Sequence, residues 1–299
     1  MKSARSMPAS RMAVRGIAVA AAALALTSCG LMPEHKMEAA PAKVVLPTDG
    51  MWRSAWSAAR SESLTAEFAL LQPDLGGRVG LAIMPVGGGK MTVLGDWTTG
   101  IAWSTIKVPL AIAALRHDPE GVLSDVEAAI TWSDNGAADA LWASLGAGAE
   151  AAKAVQQVLD EAGADDTDLA APHTQLDLSA FGATEWTLTD QVKFASKLPC
   201  LAQTDTVTKL MGEITPEQGW GLGKLDDVEF KGGWGPDDET GIYTVRQFGL
   251  VPTKSGQVAI AVAAQADSGT YDDSTALLDT LADLLDRHLG ELRGGKCPK

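Results

Sequence analysis

The stretch Ile101-Ala-Trp-Ser-Thr-Ile-Lys-Val-Pro-Leu-Ala-Ile-Ala-Ala-Leu115 decides how the rest of this chain is read. Ser104 and Lys107 stand three positions apart at the opening of an otherwise apolar, alanine-rich helical run. On a helix, positions i and i+3 share a face, so the hydroxyl and the amine can meet. Burial lowers a lysine pKa from about 10.4 toward neutrality, and a neutral amine can take a hydroxyl proton. Helix-start amides beside Ser104 add positive potential where an oxyanion would form. Alone, the S-x-x-K tetrad is weak, because a capped helix start with a snorkelling lysine spells it too. Its weight comes from the sequence around it.

Working toward the N-terminus, residues 1–28 read as a signal peptide. Lys2, Arg5, Arg11 and Arg15 form a basic start, and Ile17 to Leu26 a short apolar run. That run is too short and too alanine-rich for a membrane span. It ends in Leu26-Thr27-Ser28-Cys29, which resembles a bacterial lipobox, where the cysteine is lipidated and becomes the new N-terminus. The expectation is a protein held at the cell membrane, on its extracytoplasmic face, by a lipid (palmitate-type) anchor on Cys29. A simple cleaved secretory signal is the alternative. Residues 29–49, with Pro33, Pro41 and Pro47 and no periodicity, read as a flexible tether.

The 299 residues are 46% hydrophobic, enough to bury one large core or two interleaved ones. Cleavage after Ser28 removes four of the 24 Lys+Arg and none of the 38 Asp+Glu, leaving 20 against 38, a balance of −18. A strongly acidic surface without a basic run argues against nucleic acid as a partner. With Cys29 committed to lipid, Cys200 and Cys297 remain, and in an oxidising compartment a disulfide is the expectation. Two thiols too far apart to pair are the alternative. The four histidines show no ligand spacing, so no metal and no cofactor is expected.

Apolar positions from Gly50 to about Leu71 recur at helical spacing. Val79 to Pro85 and Met91 to Leu94 flank Gly87-Gly88-Gly89 as a hairpin. Helical text dominates from Asp118 to about Glu213, broken by a polar loop from Gly163 to Thr187. Strand signals return at Val228–Gly233, Gly241–Val251 and Val258–Gln265. Asp272-Asp273-Ser274 is read as the cap of a last helix whose buried side carries Leu277, Leu278, Leu281, Leu284, Leu285 and Leu289. This order predicts an α+β fold: a five-stranded antiparallel sheet covered by N- and C-terminal helices, with an all-helical subdomain inserted after strand two. The domain is expected over 50–299, its α/β part over 50–103 and 216–299 and its helical subdomain over 104–215.

Two further motifs stand in this framework. Ser133-Asp134-Asn135 follows the apolar run Val126–Trp132, and Lys231-Gly232-Gly233 lies in the first late strand. S-x-x-K, S-D-N and a K-x-G strand occur together, in this order, in the serine β-lactamases and penicillin-binding proteins. The chain therefore resembles that superfamily, its class A branch most, and in layout the β-lactamase-like envelope lipoproteins of actinobacteria. The resemblance implies a β-lactamase/transpeptidase-like fold with Ser104 as acyl-accepting nucleophile and Lys107 as its base. It further implies Ser133 as proton shuttle, Lys231 holding the field around Ser133, and Asn135 binding the substrate amide. The backbone amides of Ser104 and Trp234, the latter set by Gly233, would form the oxyanion hole.

Departures are informative. The family strand motif has Thr or Ser after the lysine, gripping the substrate carboxylate; here Gly232 stands there. Arg246 on the next strand is a candidate replacement, a surface arginine being the other reading. Class A enzymes also carry a loop glutamate that activates the deacylating water. Between Asn135 and Thr189 only Glu150, Glu161 and Glu185 are available, and Glu185-Trp-Thr-Leu188 is the one partial match. Three functions remain open. The first is an envelope serine hydrolase acylated by β-lactams or D-Ala-D-Ala-like peptides and slow to deacylate. The second is a non-catalytic lipoprotein that binds cell-wall material or a partner, and the third an active β-lactamase. The expected ligand is a small β-lactam- or peptidoglycan-peptide-like molecule, met by a monomer.

Overall fold

Ser63 starts the first helix. Its φ of 39° is non-helical, and its Oγ accepts the Ala66 amide at the head of α1, Leu64–Leu71. The computed structural model describes residues 63–169 and 182–298. Of the helix expected from Gly50 to about Leu71, the described residues show Leu64–Leu71. Its part before Ser63 lies outside the described residues, as do the signal, the tether and Cys29. Leu64 and Phe68, one helical turn apart, are the buried face of α1.

Five strands follow the expected order. β1, Gly77–Pro85, and β2, Thr92–Gly95, pair antiparallel from Gly80↔Gly95 to Ile83↔Thr92 around the triple-glycine turn. β5, Glu229–Pro236, β6, Tyr243–Thr253, and β7, Gly256–Ala266, complete an antiparallel sheet in the order β2-β1-β7-β6-β5. β5 is thus an edge strand. Along β7, alternate side chains serve two cores: Ala259, Ala261 and Ala263 on one face, Val258, Ile260, Val262 and Ala264 on the other.

The second face is covered by α1 and by the last helix, Tyr271–His288, through Leu278, Leu281, Leu284 and Leu285. That helix begins one turn earlier than its Asp272-Asp273-Ser274 run suggested. Thr270 is the cap, accepting the Asp273 amide, while the two aspartates sit in the first turn where the helix dipole favours them. Ser274 looks back to the Thr270 carbonyl.

The first face carries the helices that follow β2. These are α2, Lys107–His117; α3, Leu123–Glu127, running into a π-helical turn over Ala128–Trp132; α4, Asn135–Ser144; α5, Gly148–Glu161; α6, Leu188–Lys197; and α7, Asp205–Met211. The last helix of the chain is accordingly α8. α6 lies on β7 and β1, where Ala195 and Phe194 meet the alanine face of the sheet. Small residues there let helix and sheet approach closely.

A second, two-stranded sheet was not legible in the sequence. β3, Thr99–Ile101, pairs with β4, Glu185–Thr187, through Ile101↔Glu185 and Thr99↔Thr187. Three residues per strand leave too short a pattern to read. It ties the approach to Ser104 to the start of α6. Cys200 and Cys297, 97 positions apart, are joined by a disulfide with their Cα atoms 5.2 Å apart, fixing the C-terminal tail to the segment after α6. Among the described residues, no helix is long and apolar enough to cross a membrane.

Candidate active site

Ser104 sits in a 3₁₀ turn, Trp103–Ile106, that leads directly into α2. In a 3₁₀ turn side chains at i and i+3 eclipse, which stacks Ser104 and Lys107 on one side. Trp103 takes a φ of 50°, a left-handed conformation rare for a bulky residue, so the turn is held by its surroundings. Gly233 on β5 shows how closely. A Cβ there would stand 2.8 Å from the Ser104 amide nitrogen and 2.9 Å from that of Thr105. Only glycine lets the strand pass at that distance.

Lys107 is buried, and its pKa is lowered to about 8 by desolvation, with Asp134 and Asp139 pulling the other way. Nζ donates to the Ser133 carbonyl at 2.6 Å and to Asn135 Oδ1 at 2.7 Å, with Ser133 Oγ at 3.5 Å. No hydrogen bond joins Nζ to Ser104 Oγ. Two N–H groups are all a neutral amine has, so with both donated its lone pair remains available. Lys231 is fully buried, and burial together with the Lys107 charge pushes its pKa far down. Its Nζ donates to Ser133 Oγ at 2.9 Å and to the Gly232 carbonyl at 3.0 Å. Ser133, at φ 57°, thus presents its hydroxyl between two lysines, and Asp134 behind it caps α4 by accepting the Ala137 amide.

Arg246 requires a correction. It shares a sheet face with Lys231 and Gly233, being paired with Gly233, but it is fully buried and does not reach a substrate cleft. Its guanidinium donates to the Gly100 and Ile101 carbonyls of β3 and to Gln191 Oε1 on α6, and it lies 5.1 Å over the Trp97 ring. Burial pushes its pKa down to about 9, which leaves it cationic at neutral pH. Gln191 Nε2 in turn donates to Thr105 Oγ1, which donates to the Ala102 carbonyl. This buried chain from β6 through α6 to the residue after Ser104 holds the nucleophile turn. Sequence reading missed Gln191 and Thr105, which carry no motif and come together only in the fold.

The three glutamates separate cleanly. Glu150 accepts the Ala147 amide at the head of α5, and Glu161 pairs with Arg116 at 2.9 Å. Glu185 is exposed on β4 and lines a cavity of about 410 Å³ with Ile101, Trp103 and Asp237, beside the nucleophile turn.

The rim beside Gly232 is aromatic. A Cβ at Gly232 would meet the Trp220 ring at 3.3 and 3.4 Å, so Trp220 stands where a longer side chain would project. Trp220 packs edge-on against Trp234 at 5.9 Å, and Trp234 lies 5.9 Å from Tyr271. Trp132, next to Ser133, is 67% exposed, and its carbonyl accepts from Gln218 Nε2 at 3.1 Å.

No protein-family profile and no curated protein matches the sequence. Solved structures do. The chromosome-encoded β-lactamase of Vibrio parahaemolyticus superposes with a TM-score of 0.59 at 14% identity, over 77% of this chain and 100% of that one. The class A β-lactamase from Mycobacterium abscessus gives 0.58 at 17% identity, over 75% and 98%. An ancestral class A β-lactamase gives 0.56 at 18% identity, over 75% and 99%. The fold of the described domain is therefore the β-lactamase fold of the class A type.

Proposed function

We propose that this chain is a serine hydrolase of the penicillin-recognising type, acylated by β-lactams at Ser104 and slow to release the acyl group. The observation that carries the reading is the Ser133 hydroxyl shared by Lys231 and by Lys107, the lysine three residues along the chain from Ser104. Neutral Lys107 takes the Ser104 proton as Oγ attacks the carbonyl carbon. The amides of Ser104 and Trp234 receive the oxyanion, worth up to a few kcal/mol per donor. Ser133 then gives its proton to the leaving nitrogen and recovers one from Lys107, with Lys231 stabilising the hydroxyl's negative character. Asn135 orients both Lys107 and the substrate amide.

Deacylation needs a second base. Glu150 and Glu161 are committed elsewhere, and Glu185 borders the neighbouring cavity. Without one of these three positioned as a base, water attack loses a factor of roughly 10²–10⁴. We further propose that the domain hangs from a lipid on Cys29 outside the cell membrane, as its first 49 residues suggest. The test is a burst experiment with a chromogenic cephalosporin: one ring opened per protein, then a slow steady state, and no burst in Ser104→Ala. Fast multiple turnover without a burst would replace slow release by true β-lactamase activity and bring Glu185 forward as base.

A further inference from the structure

We propose that the leaving-group side of this site takes an uncharged, apolar or aromatic group, with Trp132 and Trp220 as the residues that set this choice. The inference rests on the acyl-enzyme reading above and narrows its natural acyl donor. Ser133 is the proton donor to the departing atom, so the leaving group must lie against Ser133 and the strand beside it, Lys231 and Gly232. Two indoles border that strand and turn, one next to Ser133 in the chain and one against Gly232 on the β5 face opposite Lys231. Trp132 immediately precedes Ser133 and is 67% exposed. Trp220 stands against the Gly232 Cα, held there by its ring contacts and by its own carbonyl, which accepts from Gln247 Nε2 at 2.7 Å. The Gln218–Trp132 hydrogen bond ties the two turns together, two residues before Trp220.

Among the described residues, the three cations around the site are each already engaged when a carboxylate arrives there. Lys231 is buried and donates to Ser133 and Gly232, Lys107 donates to Ser133 and Asn135, and Arg246 is buried behind the nucleophile turn. It meets instead the exposed Asp134 and two indole rings, which cannot replace its hydration. An aryl or alkyl group gains area against the same rings. β-Lactams then acylate Ser104 through ring strain, their carboxylate adding little. In the natural reaction the Ser104 Oγ–acyl bond forms and the bond from the acyl carbon to the leaving oxygen or nitrogen breaks. The proton taken from Ser104 is returned through Ser133 to the neutral leaving group.

Two phenylacetate esters test this, one of 4-nitrophenol and one of 3-carboxy-4-nitrophenol, each rate being divided by the ester's own hydroxide rate. The neutral ester should acylate Ser104 at least about tenfold faster, a difference of about 1.4 kcal/mol. Trp132→Ala, a change at an exposed side chain that leaves the fold intact, should slow the neutral ester about fivefold while leaving the carboxylated one unchanged, and Trp132→Phe should recover most of the loss. Equal or faster reaction of the carboxylated ester, or equal slowing of both by Trp132→Ala, overturns the inference. If neither ester labels Ser104 and Ser104→Ala behaves as the unaltered protein does, the acyl-enzyme reading itself falls, and the inference with it.

Discussion

The pH dependence of acylation follows from the burial of Lys107. With its pKa lowered to about 8, the neutral, proton-accepting fraction of the amine is about 1% at pH 6, about 9% at pH 7 and about 50% at pH 8. The rate of the first turnover should climb roughly fiftyfold between pH 6 and pH 8 and level off above pH 9. Asp134 provides the perturbation. Its charge favours the cation, and Asp134→Asn removes the charge while an asparagine still caps α4. A solvent-facing carboxylate is worth about 0.5–1 kcal/mol to a nearby cation, which at 1.36 kcal/mol per pKa unit lowers the inflection by roughly half a unit. At pH 7 the variant should acylate about threefold faster, and at pH 9 no faster. The assay is the burst rate with a chromogenic cephalosporin at constant ionic strength. A profile that is flat from pH 6 to pH 9, or an inflection that moves up in Asp134→Asn, would refute the assignment of Lys107 as base.

Other consequences are open to simpler measurements. Arg246→Met leaves Gln191 and two β3 carbonyls without their donor, and should cost about 2–4 kcal/mol in urea unfolding; an unchanged midpoint with weakened β-lactam labelling would return Arg246 to substrate binding. The Cys200–Cys297 disulfide should add up to about 4–5 kcal/mol by closing a long loop, and alkylation without reductant followed by intact-mass measurement should find both sulfurs blocked. His288 bridges Glu67 and Glu291, each at 2.7 Å, and clamps α1 to α8. Burial opposes the His288 charge, but the two carboxylates outweigh it and raise its pKa, while its ring holds both carboxyls below their ordinary 4.5. The clamp is therefore complete between about pH 4.5 and 6.5, fails from the carboxylates on further acidification, and weakens as pH rises through the raised His288 value. The melting-temperature gap between the unaltered protein and His288→Gln should peak in that window, and a gap independent of pH would argue against it. Cys29→Ala should move the protein from the detergent to the aqueous phase in a phase-partition assay, and an unchanged partition would argue against the lipid anchor.

Most of the sheet and the reactive triad of motifs were legible because each is local. β-Branched residues mark β6 and β7, and Ser104 with Lys107, Ser133 with Asn135, and Lys231 with Gly233 are each fixed by spacing of three residues or fewer. What brings them together is long-range and leaves little local trace. Arg246, Gln191 and Thr105 come from β6, α6 and the nucleophile turn, and nothing in their neighbours' identities announces a shared hydrogen-bond chain. Arg246 was read toward substrate because its strand position is right; its side chain goes inward because the short β3 strand offers two carbonyls there. Trp220 was silent for the same reason: only the packing of its turn on β5 makes the bare Gly232 meaningful. β4 was lost inside the polar stretch and β3 in the short run before the Ser104 turn, three residues each.

The claim on which the rest depends is a covalent bond at Ser104. Purified mature protein incubated with benzylpenicillin should gain one drug mass, and fragmentation of the labelled peptide should place it on Ser104. The adduct should persist for minutes or longer after removal of free drug, form far more slowly in Lys107→Ala, and not form in Ser104→Ala. A well-folded sample that gains no mass, or carries the label on another residue, would contradict the account.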